Sequence, residues 1–231
     1  MKLSFVIPSR NSACWLAHAL ESCQKQTHQD LEIVVVDDAS TDSTPRLMDF
    51  LVKQDIRIKA FRLATKHGRS AARNFGNRCA TGDAILVLDA DDIAYPNRAK
   101  LTERALKDAD LVYGPCDRID VLGTNLGTIG VAPFDRSAAI KNLTNGIVHS
   151  SMAYTKDLSL RFPYRGGDIS DLGLDDWAFT LEAHFSGARF SQLPQTVGAY
   201  RGTSTGISKN RDEQKVKEAK LTFLETIKTA V

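Results

Sequence analysis

The chain has 231 residues, 42% of them hydrophobic and 25% charged, which is typical of an ordinary soluble globular protein with one large or two small domains. Its 30 Lys and Arg residues nearly balance its 28 Asp and Glu residues, so composition favours neither nucleic acid nor a membrane surface as a partner. No apolar run is long enough for a signal peptide or a membrane span, the cysteines lack zinc or disulfide spacing, and we expect a cytoplasmic protein without a membrane segment.

The first predicted unit is a strand, a polar loop and a helix. Residues 3–7 are apolar and rich in β-forming side chains, and Pro8 is expected to end this strand because it has no backbone donor. A polar loop of residues 9–12 follows, in which Ser12 is a candidate cap for the next helix. Apolar side chains recur at helical spacing over residues 13–23, which predicts that helix.

The second and third units repeat this order. Residues 32–36 form a continuous apolar strand that ends in Asp37 and Asp38, and the hydroxyl residues after them predict the start of a helix over residues 46–53. The third unit consists of a strand at 58–63, a turn at 66–70 and a helix of small residues at 71–80.

The fourth strand, residues 84–88, is the most informative because its apolar run ends abruptly in Asp89, Ala90, Asp91 and Asp92. Carboxylates crowded beside a core repel one another unless a cation lies between them. Oxygen ligands favour Mg²⁺ or Mn²⁺, which keep open positions for substrate phosphates. The alternative for this segment alone is a strand that ends in a solvated acidic turn.

The remaining chain is more loosely patterned. We predict a helix at 97–107, a strand at 109–113, a hairpin or mobile loops at 117–136, and a strand at 146–154. In that last strand His149, Ser150 and Ser151 are expected to face a cleft. The later predictions are a glycine-rich acidic run at 163–173, a helix at 174–184, a flexible loop at 195–209 and a charged amphipathic helix at 212–231.

Alternation of apolar strands with helices is typical of an α/β protein with a mostly parallel sheet covered by helices on both faces. In such sheets ligands bind at the carboxyl ends of the strands, where the polar loops that follow the first four strands must lie. The pattern therefore predicts one site shared by several loops. No internal repeat or low-complexity linker is present, so we expect one domain.

Five short motifs occur along the chain. They are residues 6–11 (Val-Ile-Pro-Ser-Arg-Asn), 35–42 (Val-Val-Asp-Asp-Ala-Ser-Thr-Asp), 68–76 with Ala-Arg-Asn-Phe-Gly at its end, 88–92 (Leu-Asp-Ala-Asp-Asp) and 175–177 (Asp-Asp-Trp). Together and in this order they resemble the inverting glycosyltransferases of family 2, which have the Rossmann-like GT-A fold. The resemblance covers roughly residues 3 to 185, and the set is far more specific than any single motif.

The resemblance implies roles for the acidic residues. Asp91 is the expected direct ligand of Mn²⁺ or Mg²⁺, Asp89 is expected to contact the ribose or the metal, and Asp92 is a less certain third acid. A metal would act as a Lewis acid on the departing diphosphate. Asp38 matches the residue that hydrogen-bonds the nucleotide base, and the alternative for Asp37 and Asp38 is a helix cap.

Further site residues follow from the same resemblance. The nucleotide-sugar site is completed by Pro8, Ser9, Arg10 and Ala90, and by Arg69 and Arg73 after the glycine turn, whose forked cations suit phosphate oxygens. For Arg73 the alternative is a structural pair with an acid of the sheet. Inversion requires a base that deprotonates the acceptor hydroxyl, and this is expected to be Asp176, with Asp175 second. The alternative is that both acids cap the following helix.

The sequence departs from the family pattern in two places. The first loop has Arg10 where the family commonly has an aromatic residue, so base stacking would need the flat guanidinium. Tyr200, Arg201, Gly202 and Thr203 lack the histidine often found in this family motif, so the metal would rely on aspartates, diphosphate and water.

The resulting expectation is a metal-dependent inverting glycosyltransferase with a nucleotide-sugar donor, most simply a UDP-sugar. It comprises a nucleotide-sugar-binding half at 1–115, an acceptor-side half at 116–210 and a C-terminal helix at 211–231. The acceptor is a glycan, a lipid-linked sugar or a hydroxymethylated DNA base, for which basic residues Arg161, Arg165 and 209–211 would bind phosphates. The alternatives are a silent nucleotide-sugar-binding protein and a nucleotidyltransferase, although residues 8–11 are not a triphosphate loop.

Overall fold

A computed structural model describes residues 1–142, 146–202 and 212–228. The strands in chain order are β1 (Leu3–Ser9), β2 (Leu31–Asp37), β3 (Ile58–Arg62), β4 (Ala84–Val87), β5 (Ile93–Ala94), β6 (Leu111–Tyr113), β7 (Cys116–Ile119), β8 (Asn125–Ile129), β9 (Ala153–Thr155), β10 (Phe190–Gln192) and β11 (Gly198–Arg201). The helices are α1 (Leu16–Gln24), α2 (Thr44–Val52), α3 (Arg69–Cys79), α4 (Arg98–Ala105), α5 (Arg136–Lys141), α6 (Lys156–Arg161), α7 (Asp168–Asp171), α8 (Asp175–Phe185) and α9 (Glu213–Lys228).

The central sheet has seven strands in the order β10-β6-β9-β4-β1-β2-β3. Neighbouring strands are parallel except β9, which is antiparallel to both β4 and β6. β6 and β10 therefore run in the same direction as β1, β2 and β4, and their carboxyl ends share one edge. The predicted mostly parallel sheet is confirmed.

Helices cover both faces of this sheet because successive strand residues point to opposite sides. Phe5 and Ile7 pack with the apolar residues of α1 and α2, whereas Val6 packs on the other face with Tyr154 and Phe179. Helix α3 packs closely on β1, since a Cβ added to Gly76 would lie 2.6 Å from Val6 Cγ1. This close packing fixes α3, and the arginines that it carries, against β1.

A second sheet has the strand order β5-β11-β7-β8. β7 and β8 form an antiparallel hairpin, as the glycine pattern of residues 117–136 predicts. β11 lies between β5 and β7, and a Cβ on Gly198 would clash with the Ile93 carbonyl oxygen. Only a glycine at position 198 allows β11 to approach β5 this closely. The pairing places β11 beside the loop that follows β4.

A third apolar cluster joins α8 to the C-terminal helix α9. Trp177 and Leu181 of α8 pack with Phe223, Leu224 and Ile227 of α9. No helix among the described residues has both the length and the apolar character needed to cross a bilayer.

Pro8 does not end the first strand, which continues to Ser9. The carbonyl of Val6 accepts from Leu88 on the β4 side, and that of Ser9 accepts from Asp38 on the β2 side. The backbone polar groups of successive strand residues point alternately to the two neighbouring strands, so the Pro8 nitrogen faces β4. The pairing of β4 with β1 has already ended at Val6. Its missing N–H therefore removes no ladder bond. Ser12 caps nothing with its side chain, and α1 begins only at Leu16.

Two other predictions were wrong in part. The predicted strand at 146–154 is a 3-10 turn, His149–Ser151, followed by the short strand β9. The predicted loop at 195–209 contains β11, and its residues 203–209 lie outside the described part of the chain. The short strands β5 and β10 carry no periodic signal and were not predicted.

Candidate active site

The polar loops after β1, β2 and β4 meet at the carboxyl edge of the sheet, together with the amino ends of α3 and α8. The predicted shared location follows from the parallel order of β4, β1 and β2. Three groups of side chains form the site: the acids after β4, the arginines of α3 and the paired acids that begin α8.

The acids after β4 are held in a tight turn. The Asp92 amide donates to the Asp89 carbonyl over 3.1 Å, and the Asp89 amide donates to Ser150 Oγ over 3.1 Å. Asp92 is buried, and its Oδ1 accepts from the Arg201 amide over 2.8 Å. Its Oδ2 is also buried and has no hydrogen-bond partner among the described residues.

These acids differ in their ease of ionisation. Burial and the neighbouring Asp89 charge raise the pKa of Asp91 to about 6. Burial and the charge on Asp91 raise the pKa of Asp92 well above its usual range. Burial acts to raise the pKa of Asp89 too, but the Arg73 guanidinium outweighs it and lowers that pKa to about 2.

The donor set of this turn fits a divalent cation. Two carboxylates with raised pKa values and an unpartnered buried oxygen indicate excess negative charge, which a cation with oxygen ligands offsets. Across residues 1–142, 146–202 and 212–228, no three His, Cys, Asp or Glu side chains converge as a metal cage. A site of one or two carboxylates suits Mg²⁺ or Mn²⁺ whose other ligands are phosphates and water.

The arginines of α3 bind acids of the site. Arg73 donates to Asp89 Oδ1 and to Asp175 Oδ2, each over 2.6 Å, and Arg69 donates to Asp175 Oδ1 over 2.5 Å. The side chain of Arg73 is 3% exposed and that of Arg69 is 32% exposed. Arg73 therefore pairs with Asp89, which follows β4, and with Asp175, the first residue of α8.

The two acids at the start of α8 have opposite surroundings. Burial acts to raise the pKa of Asp175, but Arg73 and Arg69 outweigh it, and the pKa is lowered. Burial and the adjacent Asp175 charge raise the pKa of Asp176 to about 6. The Asp176 carboxylate accepts only the Trp177 amide, over 2.8 Å, among the hydrogen bonds of the described residues. Neighbouring acids with separated pKa values are a typical feature of catalytic sites.

The residues predicted for the nucleotide hold their own loops together. Asp38 accepts from the amides of His67, over 2.7 Å, and Gly68, over 2.9 Å, and so fixes the turn that begins α3. Gly68 has a φ of 88°, a conformation that favours glycine. Arg10 donates to the Asp38 carbonyl over 2.6 Å, while the buried Ser9 Oγ has no partner among the described residues.

Arg201 is the main site residue that the sequence analysis did not assign. Its Nε donates to the Asp91 carbonyl over 2.9 Å, Nη1 donates to the Asp120 carbonyl over 2.9 Å, and the guanidinium lies 4.4 Å from the ring centroid of Trp15. It ties the acidic turn to the β7–β8 hairpin. In the sequence, Arg201 was noted only as part of a motif that lacks a histidine. Its role could not be predicted because no sequence spacing reveals contacts with main-chain carbonyls.

His149 is half-buried and contacts Tyr164. Its Nε2 is 2.9 Å from Tyr164 Oη, and burial, followed by the Arg73 charge, lowers its pKa to about 3. The ring is therefore neutral near pH 7. His149, which was predicted to face a cleft, thus directs its Nε2 at Tyr164.

The predicted phosphate-binding patch is not supported by free cations. Arg165 pairs with Glu182 over 2.8 Å and Arg161 lies 3.5 Å from Asp157, while residues 209–211 lie outside the described part. A pocket of about 390 Å³ lies elsewhere, at the β6 and β10 edge. It is lined by Phe134, His184 and Phe190 among others and contains none of the predicted site residues.

Comparison with known proteins identifies relatives. The family model described as "Glycosyl transferase family 2" matches residues 4–158. Glycosyltransferase GlyG of Streptococcus pneumoniae serotype 4 is 36% identical over 114 residues, which are 48% of this chain and 38% of that protein. The GalNAc(5)-diNAcBac-PP-undecaprenol beta-1,3-glucosyltransferase of Campylobacter jejuni is 36% identical over 117 residues, 50% of this chain and 38% of that protein. The chain thus spans well under half the length of these relatives.

Solved structures share the fold. S. aureus TarS 1-349 in complex with UDP-GlcNAc superposes with a TM-score of 0.75 at 21% identity, over 96% of this chain and 66% of that one. Mannosyltransferase PcManGT from Pyrobaculum calidifontis, in complex with GDP-Man and Mn2+, gives 0.69 at 19% identity, over 89% and 58%. The expected GT-A fold is confirmed.

Proposed function

The chain belongs to glycosyltransferase family 2, and from that premise we propose that it transfers a sugar from a nucleotide-sugar donor to an acceptor hydroxyl, with inversion at the anomeric carbon. The observation that carries this proposal is the pair of acidic groups at one sheet edge. One group, after β4, contains Asp91, whose pKa burial and the Asp89 charge raise to about 6. The other contains Asp176, an acid with a raised pKa beside Asp175, whose pKa is lowered.

We propose that Asp91, with Asp89, holds Mn²⁺ or Mg²⁺. When bound, the ion supplies Lewis-acid stabilisation of the departing diphosphate. Asp89 keeps one oxygen on Arg73, which leaves its other oxygen for the ion or the ribose. The structure of PcManGT with GDP-Man and Mn2+ supports a metal in this fold.

Asp176 is our proposed general base. A carboxylate with a pKa near 6 is ionised at neutral pH and accepts a proton more readily than an ordinary Asp. Asp175 is less suited to this role because two guanidinium groups stabilise its ionised form. The acceptor hydroxyl would then attack the anomeric carbon in a single displacement as Asp176 takes its proton.

For the donor we propose a UDP-sugar, bound by the loop of residues 8–10, by Gly68 and Arg69 at the start of α3, by Ala90 and by Asp38 near the base. TarS with UDP-GlcNAc supports uridine, whereas PcManGT with GDP-Man is the competing precedent. Arg69 is the arginine with exposed surface for a phosphate. The nucleotide-sugar half remains assigned to residues 1–115.

For the acceptor we propose a glycan or a lipid-linked sugar, bound against residues 116–210. The name of the Campylobacter relative refers to an undecaprenol-linked glycan, which supports this class of acceptor. A hydroxymethylated DNA base is the weaker candidate because Arg161 and Arg165 already have acidic partners. A cytoplasmic location remains a prediction.

The test is thermal unfolding with Mn²⁺ plus UDP-GlcNAc or GDP-mannose. A ligand that binds only the folded state raises the midpoint, by RT ln(1 + [L]/Kd) in free energy. We expect a metal-dependent rise with one donor, its loss in Asp91→Ala, and its retention in the matched control Asp108→Ala, which changes an exposed acid of another segment. No rise with either donor at saturating concentration would contradict nucleotide-sugar binding and, with it, the proposed transfer.

A further inference from the structure

Arg73 joins two parts of the site that are distant in the sequence. It projects from α3 and is 3% exposed, with one nitrogen 2.6 Å from Asp89 Oδ1 and another 2.6 Å from Asp175 Oδ2. Asp89 belongs to the turn after β4, and Asp175 is the first residue of α8. One guanidinium therefore binds both sides of the site at once.

The position of Arg73 is itself fixed from its own helix. The guanidinium lies 5.4 Å from the ring centroid of Tyr164. Tyr164 donates its amide to Asn74 Oδ1 over 2.8 Å, and Asn74 Nδ2 donates to the Tyr164 carbonyl over 2.9 Å. Because Asn74 follows Arg73 in α3, the same helical turn holds both the cation and the ring beneath it.

We propose that Arg73 is a positioning residue, which holds α8 and hence Asp176 at a fixed place relative to the turn of Asp89. It acts through two carboxylates and not by contact with the donor. This inference rests on the proposed role of Asp176 as base. Its physical requirement is a planar fork that spans two acids, a geometry that the single ammonium of lysine does not reproduce.

The competing role for Arg73 is direct binding of the diphosphate. That role requires the buried guanidinium to release one of its two acids, which would leave that carboxylate without its cation. Arg69 is better placed for a phosphate because its side chain is 32% exposed and it binds Asp175 through one nitrogen only. The two arginines of α3 thus have separable roles.

The first experiment compares Arg73→Lys with Arg78→Lys, an exposed arginine of the same helix. The assays are the Kd for UDP in the presence of Mn²⁺ and the kcat for hydrolysis of UDP-GlcNAc, with water as acceptor. Misplacement of the base by an ångström predicts a fall in kcat of about 10²-fold in Arg73→Lys. The Kd for UDP is expected to change less than about threefold, well short of the tenfold step that corresponds to about 1.4 kcal/mol. Arg78→Lys is expected to change neither.

A loss of UDP affinity of about tenfold or more in Arg73→Lys, with kcat unchanged at saturating donor, would show direct binding and overturn the proposal.

A second experiment needs no ligand. It is a thermal-unfolding cycle of Arg73→Met, Asp175→Asn and the double variant, with Arg73→Lys replacing Arg73→Met if the latter does not fold.

We expect the summed decreases in unfolding midpoint of the two single variants to exceed the decrease of the double variant by about 4 °C. The reason is that each single variant breaks the same buried pair. Additive shifts would refute the bridge between α3 and α8. If the wild-type protein binds no UDP with Mn²⁺, the proposed function fails, whereas the cycle still decides whether Arg73 joins the two elements.

Discussion

Asp176→Asn is predicted to lower the rate of transfer by orders of magnitude and to stabilise the protein at neutral pH. Burial and the Asp175 charge raise the pKa of Asp176 from 3.8 to about 6 in the folded state. Ionisation of this acid above pH 6 therefore opposes folding, by up to about 3 kcal/mol. A carboxylate in the first helical turn gains roughly 0.3–1 kcal/mol from the helix dipole, and asparagine forgoes this gain. The net stabilisation expected for Asp176→Asn is about 2 kcal/mol.

The stabilisation by Asp176→Asn depends on pH because the pKa of Asp176 is raised in the folded state. Between pH 4 and 6 the folded state binds more protons at Asp176 than the unfolded state, so wild-type stability falls as the pH rises through that window. The advantage of Asp176→Asn is therefore complete above about pH 6 and absent below about pH 4. Urea unfolding at pH 7 and pH 4 measures it directly.

The matched variant is Asp175→Asn, which removes an acid that two arginines hold ionised. It is expected to destabilise at pH 7, because two buried or half-buried cations lose their partner. General-base catalysis typically raises the rate by about 10²–10⁴-fold, so the kcat of Asp176→Asn should be lower than that of the wild type by a factor in that range. Destabilisation of Asp176→Asn at pH 7, or full activity, would refute the assignment.

Two further predictions concern parts of the fold that support the site. The buried Glu32 has its pKa lowered to about 2, because bonds from Lys59, Ser4 and Thr81 outweigh the effect of burial. Its contribution, about 3 kcal/mol, is thus present above about pH 5 and lost as the pH falls to 2, and acid unfolding of Glu32→Gln should lack this component. Trp177→Ala is expected to lower the unfolding free energy by about 3–5 kcal/mol, since the ring packs against Phe223 and its Nε1 donates to the Ala139 carbonyl. Calorimetry that showed less than about 1 kcal/mol would mean that α9 does not anchor α8.

The long central strands could be read from the sequence because both of their faces are buried. β2 has no exposed residue, so its apolar run is continuous and its end at Asp37 is abrupt. Parallel order then places the loops at one edge, which is why Asp38 and Asp89 were expected together, whereas Asp176 was assigned to the site from the family resemblance. Strands of two or three residues, such as β5 and β10, are too short to show a period.

The partners of the charged residues could not be read in the same way. The Arg73 to Asp175 contact joins residues 102 positions apart, and nothing local marks it. The use of the Asp38 carboxylate by the amides of His67 and Gly68 likewise depends on tertiary structure. The sequence thus predicts which side chains reach the site, whereas the fold decides which of them remain free for a ligand.

The most direct test of the central claim is the anomeric configuration of the product. Proton NMR during turnover of UDP-GlcNAc, or of whichever donor stabilises the protein, reports the configuration of the sugar as it is first released to an acceptor or to water. A single displacement with Asp176 as base predicts the configuration opposite to that of the donor, and product formation about 10²–10⁴-fold slower in Asp176→Asn. A product that retains the donor configuration would contradict the account.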